Sequence, residues 1–145
     1  MAEQPKADRL LFDLTDRVLG VFYAVYNELG PGFPEFVCRR ALVIGLQGAN
    51  IDAHEHMPVP VWFRGVKIVS FQVDVGIASG PLLLEVKAAE RIETYHVAQT
   101  LSYLKSTEIE VALILNFGRQ PQFKRLVFEN SRKKVPPGGA NLVEC

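Results

Sequence analysis

The hydrophobic pattern has a helical period in the first third of the chain and a strand period after it. Over residues 8–29, apolar side chains recur at helical spacing, and Gly30 follows as a typical helix C-terminus. A turn rich in Gly and Pro then leads into a second predicted helix, which has Pro34 at its first position and ends at Gly48. The chain is therefore predicted to begin with two consecutive helices.

Strands dominate the rest of the chain, with one further helix among them. The predicted elements are strands over 57–63, 66–77 and 82–89, a helix over 90–106, and strands over 111–117 and 123–128. The order is therefore α-α-β-β-β-α-β-β. A three-strand meander that a helix connects to further strands predicts an α/β fold of three layers, with helices against a mixed sheet of about five strands.

Composition places the chain among ordinary globular domains. It has 145 residues, of which 48% are hydrophobic and 22% charged. No apolar run approaches the ~20 residues of a membrane-spanning helix. The N-terminal sequence has no basic segment followed by an apolar one, and two cysteines are too few for a disulfide framework. We expect a reduced, cytoplasmic protein without a membrane segment.

Charge is balanced overall and uneven along the chain. Sixteen basic residues match sixteen acidic ones, which argues against binding of polyanions through bulk charge. The segment 119–145 is nevertheless basic. It is either a solvated tail or a patch that contacts phosphates. The candidates for nucleic-acid contact in this segment are Lys124, Arg125, Arg132, Lys133 and Lys134.

Charged side chains interrupt two of the predicted strands. In the third strand, Glu85 and Lys87 project from one face of an otherwise apolar segment. In the second, strict alternation places Val73 and Val75 on one face and Asp74 on the other. Because burial of an isolated charge is expensive, Glu85 and Lys87 need partners, and Asp74 is a candidate. The alternative is an ion pair on an edge strand.

The predicted helix over 90–106 presents polar groups on one side. Gln99 and Tyr103 are four residues apart and therefore share a helical face, and His96 lies one turn before them. This arrangement indicates either a polar site between helix and sheet or an amphipathic helix whose Tyr103 packs at the margin of the core.

Several segments, taken in order, resemble the GxxExxY proteins, a family of the PD-(D/E)XK nuclease superfamily. The segments are GPGFPEFVCRRAL, FQVDVGIA, LLLEVKA, YHVAQTLSYLKS, ALILNFG and FKRLVFEN. The resemblance covers roughly residues 10–130. It implies a restriction-endonuclease-like domain over 1–130, followed by a basic, turn-rich tail over 131–145. The chain departs from the family at Cys38, where a tyrosine is usual, and at Val73, which replaces the proline of the superfamily's name.

The resemblance also implies roles at a metal centre. Asp74 and Glu85 would bind Mg²⁺ or Mn²⁺, with the backbone carbonyl of Val86 as a third ligand. Lys87 would orient or help to deprotonate the attacking water. Glu35, from the GxxE motif, would hold a metal-bound water or a second ion. The alternative for Glu35 is that an acid in the first turn of a helix simply complements the helix dipole.

The function that the resemblance implies is hydrolysis of phosphodiester bonds. Gln99 and Tyr103 match a QxxxY pattern whose residues border the site and touch the nucleic acid, either DNA or RNA. The alternative is a catalytically idle module that binds nucleic acid or protein on the same fold. Because the net charge is zero, we expect unaided binding to be weak, so that a protein partner or a special substrate such as ends, branches or single strands is needed.

Overall fold

The computed structural model describes residues 6–133, which form three α-helices, five strands and a short 3₁₀ turn. The elements are α1 (Lys6–Leu29), α2 (Glu35–Gly48), β1 (Ala53–Phe63), β2 (Val66–Ile77), β3 (Leu82–Lys87), α3 (Thr94–Lys105), β4 (Val111–Phe117), β5 (Pro121–Val127) and the 3₁₀ turn Asn130–Arg132. Within this range no helix has the length and apolarity that crossing a membrane requires. Most of the expected tail, including Lys134, lies outside the described residues.

One mixed sheet organises the chain, with its strands in the order β1-β2-β3-β4-β5. Neighbouring strands are antiparallel except β3 and β4, which are parallel and are connected through α3. Parallel neighbours need such a crossover because a tight turn cannot reverse the chain between them. The predicted three-layer α/β architecture and its order of elements are confirmed.

The two faces of the sheet bury separate cores. On β3, Leu82 and Leu84 pack in the core formed with α1 and α2, whereas Leu83 packs with Tyr103 and Leu104 of α3. Both β3 and β4 are buried on both faces, which explains why their sequences are almost continuously apolar. The central strands are therefore held rigidly, so the polar residues at their ends have fixed positions.

Three helix ends differ from or refine the sequence expectations. Gly30 closes α1 with φ 79°, and its N–H donates to the carbonyl of Tyr26 at 2.8 Å. Pro34 precedes α2 rather than starting it, because its ψ of 154° is extended. Helix α3 starts at Thr94, four residues later than predicted, because the N–H of Glu93 donates to Nδ1 of His96 and caps the first turn.

The β1–β2 hairpin continues well past the sheet. Strand β2 pairs with β3 only over Val75–Ile77, whereas β1 and β2 stay paired to the turn at Arg64 and Gly65. Both turn residues have positive φ, 49° and 78°, as tight two-residue hairpin turns require. We call residues 57–73, which pair only with one another within the described sheet, the hairpin arm.

Candidate active site

Asp74 and Glu85 face each other at the point where β2 separates from β3. The last paired residues are Val75 and Leu84, so Asp74 and Glu85 occupy the next position of the ladder. There the N–H of Asp74 donates to Oε1 of Glu85 at 3.2 Å, and the N–H of Val86 donates to Oδ2 of Asp74 at 2.7 Å. Where the strands diverge, each carboxylate thus accepts a hydrogen bond from a backbone N–H of the opposite strand. These bonds fix both side chains.

A local change in β2 accompanies this divergence. Strict alternation predicted that Val73 and Val75 share a face, but Val73 packs with Tyr103 and Val75 packs in the core of α1 and α2. The pairing of β1 with β2 skips His56 opposite Asp74, and His56 has φ 59°. That prediction was wrong because the hairpin changes orientation at Asp74, where the backbone is irregular.

The electrostatics of the acid pair are unfavourable in the absence of a cation. Glu85 is only 3% exposed. Burial, and after it the charge of Asp74, raise the pKa of Glu85 to about 8, against the opposing effects of the Asp74 N–H and the Lys87 ammonium. Without a cation, Glu85 therefore tends to keep its proton at neutral pH. A cation would remove that tendency.

Lys87 lies between two acids that come from different elements. Its Nζ is 3.8 Å from Oε1 of Glu35 and 3.9 Å from Oε2 of Glu85. These distances permit Coulomb attraction and exceed those of a hydrogen bond, so the ammonium is not committed to either acid. Glu35, the first residue of α2, is half-exposed; burial raises its pKa, Lys87 lowers it and Asp74 raises it. The structure thus brings Glu35, Asp74, Glu85 and Lys87 into one cluster.

The donor set of this cluster fits a divalent cation. Over residues 6–133, no group of three His, Cys, Asp or Glu side chains converges to hold a metal ion, which leaves the Asp74–Glu85 pair as the acidic core. The backbone N–H groups of Asp74 and Val86 donate to Oε1 of Glu85 and Oδ2 of Asp74, so Oε2 of Glu85 and Oδ1 of Asp74 are not occupied by these bonds. Carboxylate oxygens are hard ligands of the kind that hard divalent cations prefer.

Tyr103 borders the acid pair, whereas Gln99 does not reach it. Tyr103 is buried with its ring 5.6 Å from that of Phe71, and its pKa is raised by burial and by the charges of Glu85 and Asp74. Gln99 is exposed, and within residues 6–133 no hydrogen bond links its amide to the cluster; its backbone carbonyl accepts a bond from the Ser102 hydroxyl.

Arg39 was not identified from the sequence and lies next to the cluster. It follows Glu35 by one helical turn in α2, and its charge lowers the pKa of Glu35. Its buried Nε has no hydrogen-bond partner within the part of the chain that the structure describes. The spacing of four residues from Glu35 was the signal that could have identified it.

Asn116 is a second residue that the sequence reasoning missed. It is completely buried in β4, where Oδ1 accepts from the N–H of Ala89 and Nδ2 donates to the carbonyl of Ala89, both at 2.9 Å. These bonds hold the segment that follows Lys87. The signal was an amide within an otherwise apolar strand, VALILNF, because a buried polar side chain needs partners.

The predicted basic residues within 6–133 do not form one surface. Lys124 pairs with Ile114 and Arg125 with Leu113, and these partners belong to opposite cores, so the two cations lie on opposite faces of β5. The guanidinium of Arg125 is 4.6 Å from the ring centroid of Phe12 in α1.

The last described basic residues pack against the body of the domain. Arg132 lies 4.9 Å from the ring centroid of Phe128. Lys133 Nζ donates to the carbonyls of Thr107 at 2.7 Å and Ile109 at 2.9 Å, and burial lowers the pKa of Lys133 to about 8. Lys133 therefore fastens the end of the 3₁₀ turn to the loop between α3 and β4.

The sequence of the chain matches a known protein superfamily. A sequence profile of the PD-(D/E)XK nuclease superfamily matches residues 12–126, a span that includes all four residues of the cluster. The chain is also similar to a solved structure titled "Crystal structure of SSO0001", with 15% sequence identity, a TM-score of 0.49, and coverage of 97% of this chain and 67% of that one. No curated protein sequence matches.

Proposed function

The chain belongs to the PD-(D/E)XK nuclease superfamily, and from this premise we propose that it is a metal-dependent nuclease that hydrolyses phosphodiester bonds of DNA or RNA. The observation that carries the proposal is the position of the Lys87 ammonium beside the buried acid pair, 3.9 Å from Glu85 and 3.8 Å from Glu35. Two acids with a lysine beside them supply what hydrolysis of a phosphodiester needs: a cation site and a charged donor near the phosphate.

Asp74 and Glu85 would hold the metal ion, Mg²⁺ or Mn²⁺, together with the carbonyl of Val86. When bound, such a cation would make a water molecule more acidic and stabilise negative charge on the phosphate. The chain prepares the acid pair for this role, because the backbone bonds to Oε1 and Oδ2 fix both carboxylates before any ligand arrives. A preorganised site spends little free energy on rearrangement.

Lys87 and Glu35 would act on the water and the phosphate. Lys87 can donate to the attacking water or to a phosphate oxygen, since neither acid beside it is within hydrogen-bonding distance. Glu35 projects from the start of α2 and would accept a hydrogen bond from the same water. Arg39, with its Nε unbonded, would add a second positive charge for the phosphate.

The GxxExxY motif supports membership in that family within the superfamily. Gly32, the first residue of the motif, has φ 99°, a conformation that disfavours any side chain. Glu35 is the acid of the motif. Cys38, at the tyrosine position, is buried in the core of α1 and α2 with Sγ 3.8 Å from the Phe33 carbonyl, so this replacement changes packing and leaves the acids in place. We propose residues 1–130 as the catalytic domain.

The decisive experiment is a cleavage assay on single-stranded, forked and duplex DNA and RNA. Wild-type protein should cleave at least one substrate in Mn²⁺ and none in EDTA. Glu85→Gln, which keeps an acceptor for the Asp74 N–H, should lower the rate by orders of magnitude, whereas the exposed control Lys105→Ala should cleave like wild type.

Two results would contradict the proposal. Full activity in Glu85→Gln would identify a contaminating nuclease. Salt-sensitive binding without cleavage of any substrate would identify a binding module.

A further inference from the structure

The tip of the hairpin arm exposes apolar side chains. Phe63 is 54% exposed and Val66 65%, and the two form the cross-strand pair that flanks the turn. Ile68, at the register shift of the arm, is 64% exposed. Exposed apolar side chains that pair across the tip of a hairpin, as Phe63 and Val66 do, indicate a contact surface.

Charge selects the kind of partner. The arm, residues 57–73, carries Arg64 and Lys67 and contains no Asp or Glu, although the whole chain has a net charge of zero. The guanidinium of Arg64 lies 5.2 Å from the ring centroid of Phe63, so cation and aromatic ring are side by side. Two arms from two copies of the chain would repel each other, whereas a polyanion is complementary.

The base of the arm is firmly attached next to the acid pair. Val59 and Val73 are buried in the α3 core, and the ring of Phe71 packs 5.6 Å from that of Tyr103. The residue that follows Val73 is Asp74. The base of the arm is therefore fixed beside the cluster, and a molecule bound along the arm would lie on a strand that continues into Asp74.

We infer that the hairpin arm binds nucleic acid at unpaired bases, with Arg64 and Lys67 on phosphates and Phe63 and Val66 against a base. This inference rests on the proposed function, since the molecule on the arm would be the substrate. Apolar side chains gain from contact with a base only where its face is exposed, as in single strands, ends and branches, or where it can be unstacked. The faces of bases inside a continuous duplex are covered.

Fluorescence anisotropy in EDTA, where no cleavage is expected, tests the inference with a single strand, a forked duplex and a blunt duplex of the same sequence. Wild-type protein should bind the first two about tenfold more tightly than the third. The double variant R64A/K67A should weaken binding and reduce the slope of log K against log salt by about 1.4 on the single strand, since two phosphate contacts are lost. Phe63→Ala should abolish the preference for unpaired bases.

Matched controls lie elsewhere on the surface. Lys105→Ala removes an exposed cation at the end of α3, and Ile44→Ser removes an apolar side chain of α2 that is 71% exposed. Both should bind like wild type. Thermal melting followed by circular dichroism verifies that every variant is folded.

Three outcomes would overturn the inference: wild-type protein that binds none of the three probes, arm variants that bind as tightly as wild type, or Ile68→Ser that converts a dimer to a monomer in light scattering without changing binding. The last would make the arm an interface between copies.

A failure of the inference about the arm can be distinguished from a failure of the proposed function. If wild-type protein cleaves and the arm variants bind and cleave as well as wild type, only the proposed role of the arm is contradicted. If the protein binds through the arm but does not cleave in Mn²⁺, only the proposed nuclease activity is contradicted.

Discussion

The side chain of Asn116 binds both backbone polar groups of Ala89, its Oδ1 and Nδ2 each at 2.9 Å. Ala89 comes two residues after Lys87, so β4 holds the exit of β3 through one buried amide. A separate strand thereby determines where the segment after the lysine runs. Asn116 acts through position and touches none of the acids.

Replacement of Asn116 should therefore destabilise the fold and disturb the site. Asn116→Ala leaves the N–H and the carbonyl of Ala89 without partners, which should lower the free energy of unfolding by about 1–3 kcal/mol per buried group. Urea denaturation measures this change. Gln122→Ala is the control, because it removes only a 3.5 Å contact with Asn116 and should change stability little. Equal stability of the two variants would show that the bonds between Asn116 and Ala89 contribute little to stability.

The regular part of the fold was accessible from sequence because local patterns determine it. The bounds of β2 and β4 agree with the prediction, since clean alternation in one and an apolar run in the other have few alternative interpretations. The start of α3 was not accessible. His96 suggested a polar site, but its ring caps the helix through Glu93, a bond that exists only after the chain turns there.

The candidate site was only partly accessible for a related reason. Alternation brought Asp74, Glu85 and Lys87 to attention, but the divergence of β2 from β3 depends on long-range pairing that no local pattern encodes. The approach of Glu35 came from family resemblance alone. Lys133 illustrates the opposite error: a run of positive charge predicts a surface, while the folded chain binds this ammonium with two carbonyls.

Metal binding should be visible as stabilisation. Mn²⁺ should raise the Tm of wild-type protein, because a ligand that binds only the folded state adds about 2.7 kcal/mol at a concentration of 100 Kd. Asp74→Asn should abolish the rise while retaining an acceptor for the Val86 N–H. Asp13→Asn, an exposed acid of α1, should respond like wild type. Calorimetric titration that detects no Mn²⁺ binding by folded wild-type protein would contradict the assignment of Asp74 and Glu85.

Lys87→Met should lower the cleavage rate without preventing metal binding. The substitution keeps the aliphatic stem and removes the ammonium between Glu35 and Glu85, so Mn²⁺ should still raise the Tm. The cleavage rate should fall roughly 100-fold or more, since a positioned donor contributes that much to proton transfer and charge stabilisation. Single-turnover cleavage at saturating protein measures the effect, with Lys105→Met as the control. Unchanged turnover would reduce Lys87 to an ion-pair partner.

The stability of the metal-free protein should fall as pH rises, and Glu85 should be the cause. Burial and the charge of Asp74 raise its pKa from an ordinary 4.5 to about 8, so between these values the folded state retains a proton that the unfolded state has released. Stability therefore decreases as pH rises across this window, and above the window Glu85 causes no further change.

Glu85→Gln cannot titrate and should flatten the dependence of stability on pH. It should be more stable than wild type at pH 8.5. Asp74→Asn should move the window to lower pH, because the charge of Asp74 is the second cause of the shift. Urea denaturation in EDTA from pH 5 to 9 measures all three curves. Parallel curves for wild type and Glu85→Gln would show that Glu85 is not the titrating group.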